Sequence, residues 1–502
     1  MEETQNKPLW LRLLRRVGKR GFPLWAFALI LATCTPKLNW VPCAQMHEGI
    51  YPGKHWQKIQ TPEQLGWSSQ KLAEAKAYSR KIGSAAVMIV DDGVVVHAWG
   101  DITRKYMCHS MRKSLLSGLI GVHVEEGNID LSKTLGQLGI DDYEPSLTPE
   151  EKQATVGDLI KARSGIYHPA LGEAPSMRAL RPKRHSHFPG TFWYYNNWDF
   201  NALGTIFEQE TGTKIFEEFE GRFAKPLQME DFKVSDCCYL NSSDYDSAPW
   251  SMHRYYFFRM STRDLARFGL LFLHEGRWRN QQIISAQWVR ESTASHSKTG
   301  LDSGYGYMWW TGVNGGLFPN VRIREHSYYA SGYGGHRLIV LPYRNLVMVH
   351  RANTDSPGRY PDNRKIGRLL WLILRAAGDT DIGENPSLEK AKGVHLGEEE
   401  LREMFEGARV SLRRITDPGL VEDQGGKPFV MTCRPDGSMS VAVAGKLFDT
   451  GNWLTHGNRF CVKGKKLTSG RSFCVSLVLD GSTLKVFDLD GTRFDEMQFS
   501  RD

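Results

Sequence analysis

The chain lacks every common metal-binding signature. No C-x-x-C, H-E-x-x-H or comparable ligand spacing occurs in its 502 residues. The H-S-H string at His185–His187 stands alone in a Pro- and Arg-rich loop and reads as solvated surface. No internal repeat of fixed period is present, which excludes solenoids and propellers. There is no apolar run of membrane-spanning length: "FPLWAFALILATC" (Phe22–Cys34) holds about a dozen residues where ~20 are needed. An excess of one charge is also missing. The net charge is +8, but residues 1–20 carry six basic side chains against Glu2 and Glu3, so about half of the excess sits in that stretch. With no basic–aromatic surface motif elsewhere, no nucleic-acid partner is expected. No cofactor motif appears, and neither a metal nor a cofactor is expected.

A hydrophobic content of 41% is enough for a large folded core, and the length suits two domains. The basic segment followed by a short apolar run reads as an export signal, residues 1–45. "LATC" at Leu31–Cys34 resembles a bacterial lipoprotein cleavage box, which makes Cys34 a candidate lipidation site. The expected location is the periplasm, or the membrane surface if the N-terminus is lipidated or uncleaved. Eight cysteines in an exported chain permit disulfides, and Cys461 with Cys474, both in strand-like stretches, form the favoured pair.

Strand and helix patterns then alternate. "SAAVMIVDDGVVVHAWGD" (Ser84–Asp101) gives two β runs around Asp92-Gly93, a hairpin signature. "STRDLARFGLLFLHEG" (Ser261–Gly276) begins with a Ser cap and carries an apolar helical face. His336–Asn353 reads as two strands joined at Pro342–Asn345, and Arg364–Gly378 as an apolar helix. Residues 381–400 are polar and read as a linker. Beyond them, short β runs separated by Asp-Gly turns predict a small all-β domain over 401–502.

One stretch raises a chemical question. In "MCHSMRKSLLSGLIGVHVEEGNIDL" (Met107–Leu131), Ser110 and Lys113 stand three residues apart at the start of an apolar helix. Residues i and i+3 share a helix face, so the lysine amine can lie against the hydroxyl. A serine needs such a partner, because its hydroxyl is a weak nucleophile until its proton is removed. Spacing alone decides nothing, since S-x-x-K also occurs at Ser68, Ser295, Ser387 and Ser482. Cys108, two residues before Ser110, reads as a small buried hydrophobe.

Context separates the strings. "SMRKSLLSGLIGVHVEEGNIDLSKTLGQL" resembles the first-motif helix of the serine β-lactamase and penicillin-binding-protein fold, in its class C and esterase branch. The second motif of that family, Y-x-N, has three candidates: Tyr195–Asn197, Tyr239–Asn241 and Tyr343–Asn345. Only the first lies in a matching phrase, "PGTFWYYNNWDFNALGTIFEQETG". For the third motif, "KTG" occurs literally at Lys298–Gly300, in what reads as a polar loop. The better match is "YYASGYGGHRLIVLPYRNLVMVHRAN", which makes the motif Ala330-Ser331-Gly332 and puts alanine where the family usually has lysine or histidine.

The resemblance spans about residues 55–378 and is strongest to 6-aminohexanoate-dimer-hydrolase-type carboxylesterases. It implies an α/β fold of the α+β kind: a β-lactamase-like antiparallel sheet flanked by helices, with a helical part, over residues 46–380. It implies catalytic roles for Ser110, Lys113 and Tyr195, with Tyr195 moving the proton as a phenolate stabilised by Lys113. Asn197, Ser331, Gly332, Tyr333 and His336 would border the substrate, and the backbone N–H groups of Ser110 and Tyr333 would form the oxyanion hole. The implied activity is that of an exported serine hydrolase acting on a small-molecule ester or amide. A β-lactamase or D-alanyl-D-alanine carboxypeptidase is the second reading, disfavoured by Ala330. A non-catalytic receptor on the same fold is the third.

Overall fold

The computed structural model describes residues 49–502, apart from 242–250, 300–302, 325, 359, 385–386, 415–428, 444, 466–467, 469, 471, 490 and 502. The segment read as an export signal, with Cys34, lies outside the described residues.

Helix α1 (Ser69–Lys81) begins where the Ser68 hydroxyl accepts the Lys71 N–H at 3.3 Å, so this S-x-x-K string is a helix cap. Strands β1 (Ser84–Asp91) and β2 (Val94–Gly100) form the expected hairpin. Asp92 (φ 47°) and Gly93 (φ 78°) both take the left-handed conformation of its two-residue turn. Helix α2 (Arg112–Glu125) follows Ser110 and is buried on all sides from Arg112 to His123, so it has no polar stripe. Helix α3 (Asn197–Thr211) starts at Asn196, whose side chain accepts the Trp198 N–H. Helix α4 (Thr262–Leu273) starts at Ser261, which accepts the Asp264 N–H as its cap sequence predicts.

Strands β3 (Ser297–Lys298), β4 (Ser303–Tyr305), β5 (Trp310–Gly312), β6 (Tyr328–Gly332), β7 (His336–Leu341) and β8 (Leu346–Ala352) complete an antiparallel sheet. Its order is β2-β1-β8-β7-β6-β5-β4-β3. Helix α5 (Asn363–Ala376) is capped by Asp362, which accepts the N–H groups of Arg364 and Lys365. Side chains alternate across the sheet. Met88, Val90, Ala330 and Leu338 enter a core with α2, α3 and α4. Val87, Ile89, Tyr329 and Ile339 enter a second core with α1 and α5.

The stretch read as a linker holds a few short elements. Strand β9 (Val394–His395) and helix α6 (Glu398–Phe405) lie within it or extend from it. Strands β10 (Arg409–Arg414), β11 (Phe429–Cys433), β12 (Ser438–Val443), β13 (Lys446–His456), β14 (Arg459–Gly464), β15 (Phe473–Asp480), β16 (Thr483–Phe487) and β17 (Arg493–Arg501) each pair with the next. β17 pairs back to β10, which closes the ring, and β9 adds to β15. Leu401 and Phe405 of α6 are buried in its core, with Phe405 stacked on Phe460 at 4.1 Å. Cys461 and Cys474 are disulfide-bonded across β14 and β15. The barrel rests on the outer side of α1 and α5, through Tyr78–Thr492 (2.6 Å) and Arg368–Thr492 (3.2 Å).

Candidate active site

Ser110 lies in a short 3-10 turn, His109–Met111, that leads into α2. The Lys113 side chain comes from the first turn of the helix, and its Nζ donates to Ser110 Oγ at 2.7 Å. That amine is wholly enclosed. It packs 4.7 Å from the centre of the Tyr195 ring and 4.8 Å from that of Phe200. Burial, helped by the neighbouring Arg112 guanidinium, holds the amine well below its ordinary pKa of 10.5. The shift favours the uncharged amine, the form in which a lysine can take a proton from a neighbouring hydroxyl.

Tyr195 immediately precedes the cap of α3 and reaches the same point, where its hydroxyl interacts with the Ser110 side chain. Enclosure pushes its pKa up, against the smaller lowering effects of Ser110 and Arg112. Burial thus works against the phenolate that the resemblance implies, favouring the neutral phenol on Tyr195 and the uncharged amine on Lys113.

Asn197, at the start of α3, is buried and donates to the Gly172 carbonyl at 2.9 Å. Its Oδ1 has no partner among the described residues. On β6, Ala330 faces the core that holds α2, at the position where the family usually carries a cation. Ser331 alternates to the side of Tyr329 and pairs with Arg337. Gly332 lies against the turn before Ser110, where an added Cβ would come within 2.6 Å of the Cys108 carbonyl oxygen. Tyr333, next along, is 65% exposed.

His336 is not open to a substrate. It is fully buried, receives Arg351 Nε on Nδ1 at 2.8 Å, and lies 3.1 Å from Thr354 Oγ1 through Nε2. This corrects its placement beside the ligand. Lys298 is exposed on the outermost strand of the sheet, β3, which is not the polar loop expected, and three strands from β6. Gly300 lies outside the described residues. Tyr343–Asn345 is the β7–β8 turn, and Tyr239 bonds Glu208, so neither alternative Y-x-N string joins the site.

Sequence reasoning passed over Arg112. It is fully buried, sandwiched between the rings of Tyr255 and Tyr256, with each ring centre 4.0 Å from its guanidinium carbon, and it donates to Asn201 at 2.6 Å. A permanent cation inside an apolar helix start was the signal that could have found it. Tyr256 and Phe258 belong to the core, while Tyr255 is half-buried over Arg112.

The profile of the Beta-lactamase family matches residues 69–370, more than half of the chain. An uncharacterized protein of Alkalihalophilus pseudofirmus is 24% identical over 292 residues, covering 53% of this chain and 80% of its own. Among solved structures, a penicillin-binding protein homologue from Pyrococcus abyssi is similar over 87% of this chain and 99% of its own, with 18% identity and a TM-score of 0.47. A proposed 6-aminohexanoate-dimer hydrolase from Bacillus anthracis is similar over 60% of this chain and 81% of its own, with 19% identity and a TM-score of 0.46. Given the span of the family match, this chain belongs to the beta-lactamase family of hydrolases.

Proposed function

We propose that the protein is a serine hydrolase that cleaves an ester or amide through an acyl-enzyme on Ser110. The observation that carries this reading is the enclosed Lys113 amine at 2.7 Å from the Ser110 hydroxyl. In the forward step neutral Lys113 takes the Ser110 proton as Oγ attacks the carbonyl carbon. The oxyanion develops against the backbone N–H groups of Ser110 and Tyr333. The phenol of Tyr195 gives its proton to the departing oxygen or nitrogen and is reprotonated from Lys113. Water then repeats the sequence to release the acid. Ala330 supports neutral substrates over β-lactams, because nothing at that position can hold a substrate carboxylate.

The test is fluorophosphonate labelling of the full chain with peptide mapping, followed by a screen of short esters, amides and a chromogenic cephalosporin. Label on Ser110, its loss in Ser110→Ala and turnover of esters or amides are expected. Label elsewhere, or cephalosporin turnover above that of every ester, overturns the reading. We also infer export from the basic and apolar segment ending at Cys34; recovery of the chain in the soluble cytoplasm of its host would refute that.

A further inference from the structure

Behind the nucleophile turn runs a line of hydrogen bonds whose direction can be deduced. Arg351 is fully buried and can only donate. Its Nη1 serves the Met260 carbonyl and its Nη2 those of Tyr106 and Met107, while Nε points at His336 Nδ1 at 2.8 Å. His336 Nδ1 must therefore accept, so the proton of the neutral ring sits on Nε2. That nitrogen donates to Thr354 Oγ1 at 3.1 Å. The single proton of Thr354 is then available to His109 Nε2, 2.8 Å away. With that bond made, His109 carries its own proton on Nδ1. The donor-only guanidinium fixes the first two bonds, and a hydroxyl that both accepts and donates carries the same direction on to His109.

The far end of this line is the residue before Ser110. His109 holds φ 48°, a left-handed conformation that costs a non-glycine residue roughly 1 kcal/mol or more and persists only where its surroundings enforce it. Its ring also meets that of Tyr333 edge-on, 5.6 Å between centres. The Cys108 carbonyl abuts Gly332 on the strand leading to Tyr333. The line thus fastens the turn carrying Ser110 to the strand end carrying Tyr333.

We propose that His109 is a positioning residue, locked as the Nδ1–H tautomer by the Arg351–His336–Thr354 line, and that this lock sets Ser110 against the end of β6. The functional consequence rests on the reading of Ser110 as the nucleophile; the tautomer does not. Burial first, then Arg351 and Arg259, hold the His109 pKa down to about 4, with Asp355 opposing. His336, buried beside it, is held low as well. His109 accordingly stays neutral through the physiological range.

Histidine-selective ¹⁵N NMR of the full chain tests this, with the His109 signals identified by their loss in His109→Gln. The wild type should show His109 neutral at pH 6, protonated on Nδ1 and bare at Nε2. Thr354→Val should mix the two tautomers and lower kcat roughly tenfold to a hundredfold with KM within about twofold, as expected for a small misplacement of a reacting group. Thr354→Ser, which keeps the hydroxyl, should restore both. A wild-type His109 protonated on Nε2, or charged at pH 6, overturns the lock. So does Thr354→Val with wild-type tautomer and turnover. If Thr354→Val does not fold, the wild-type spectrum still decides. Failure of Ser110 to label while the tautomer is as stated would refute the hydrolase reading alone.

Discussion

The two faces of the eight-stranded sheet are built to different standards. Against α1 and α5 the contacts are mainly apolar, with the buried Arg337, bonded to Asn363 of α5, as an exception: Ile366, Leu369, Leu370, Ile373 and Leu374 of α5 are fully buried on Val87, Ile89 and their neighbours. Against α2 and α3 the interior contains Arg112, Lys113, Asn197, Asp199 and Glu173. Several of their polar atoms have no partner among the described residues. Asp199 has Ser164 and Asn196 as partners but no cation among the described residues, and burial drives its carboxyl well above the ordinary range. One face holds the molecule together. The other holds ionisable groups in states that water would not allow, and that costs stability.

Disabling the polar face should give the largest effects, and on rate. Lys113→Ala and Tyr195→Phe should each reduce turnover roughly 10²–10⁴-fold, the range for a positioned proton-transfer group. The double variant should lose far less than the product, because both act on one proton. Strictly multiplicative losses in steady-state kinetics would show that the two residues work independently.

On the apolar face the same size of change should appear as stability. Leu370→Ala should lower unfolding free energy by about 2–5 kcal/mol, measured by denaturant titration, with kcat unaltered at a temperature where the variant is folded. A fall in kcat without loss of stability would mean that the two faces are coupled.

A subtler contrast lies in pH. Lys113 has its pKa lowered on folding, so the unfolded chain binds more protons there than the folded one. Its destabilising effect is complete below the folded pKa and fades as pH rises to 10.5. Lys113→Met should therefore stabilise the inactive protein at neutral pH. The gain should shrink by about 1.4 kcal/mol for each pH unit raised within that window. A gain independent of pH would mean that the amine is not desolvated.

The smallest effect should follow removal of residues 384–502. The barrel meets α1 and α5 on their outer side and touches nothing beside Ser110 among the described contacts. Hydrolysis of a small ester should persist in the shortened chain. Loss of activity in a folded, shortened protein would place part of the site in the barrel.

What could be read from the sequence was what short stretches determine by themselves. Asp92-Gly93 makes its turn and Ser261 caps its helix because neighbouring atoms suffice. Ser110 and Lys113 meet because one helical turn brings them together. The rest depends on distant chain. Lys298 is in a strand because Gly304 pairs with it, and β9 exists because β15 offers an edge. Thr354 reaches His109 across 245 positions of sequence. The protonation of Tyr195 follows from enclosure, which no local pattern encodes.

The pairing of β1 with β8 has a consequence for how the molecule comes into being. Ser84 aligns with Ala352, so the first strand finds its inner neighbour only after most of the hydrolase region has been synthesised. A lone two-stranded hairpin is marginal in water, and joining strands so far apart in the chain is entropically slow. Until Ala352 is available, the edge from Ala86 to Val90 stays unpaired and apolar, the kind of edge that invites association with other chains. A nascent chain halted before β8 would already carry Ser110, Lys113 and Tyr195, and would lack the strand that joins the β1–β2 hairpin to the rest of the sheet.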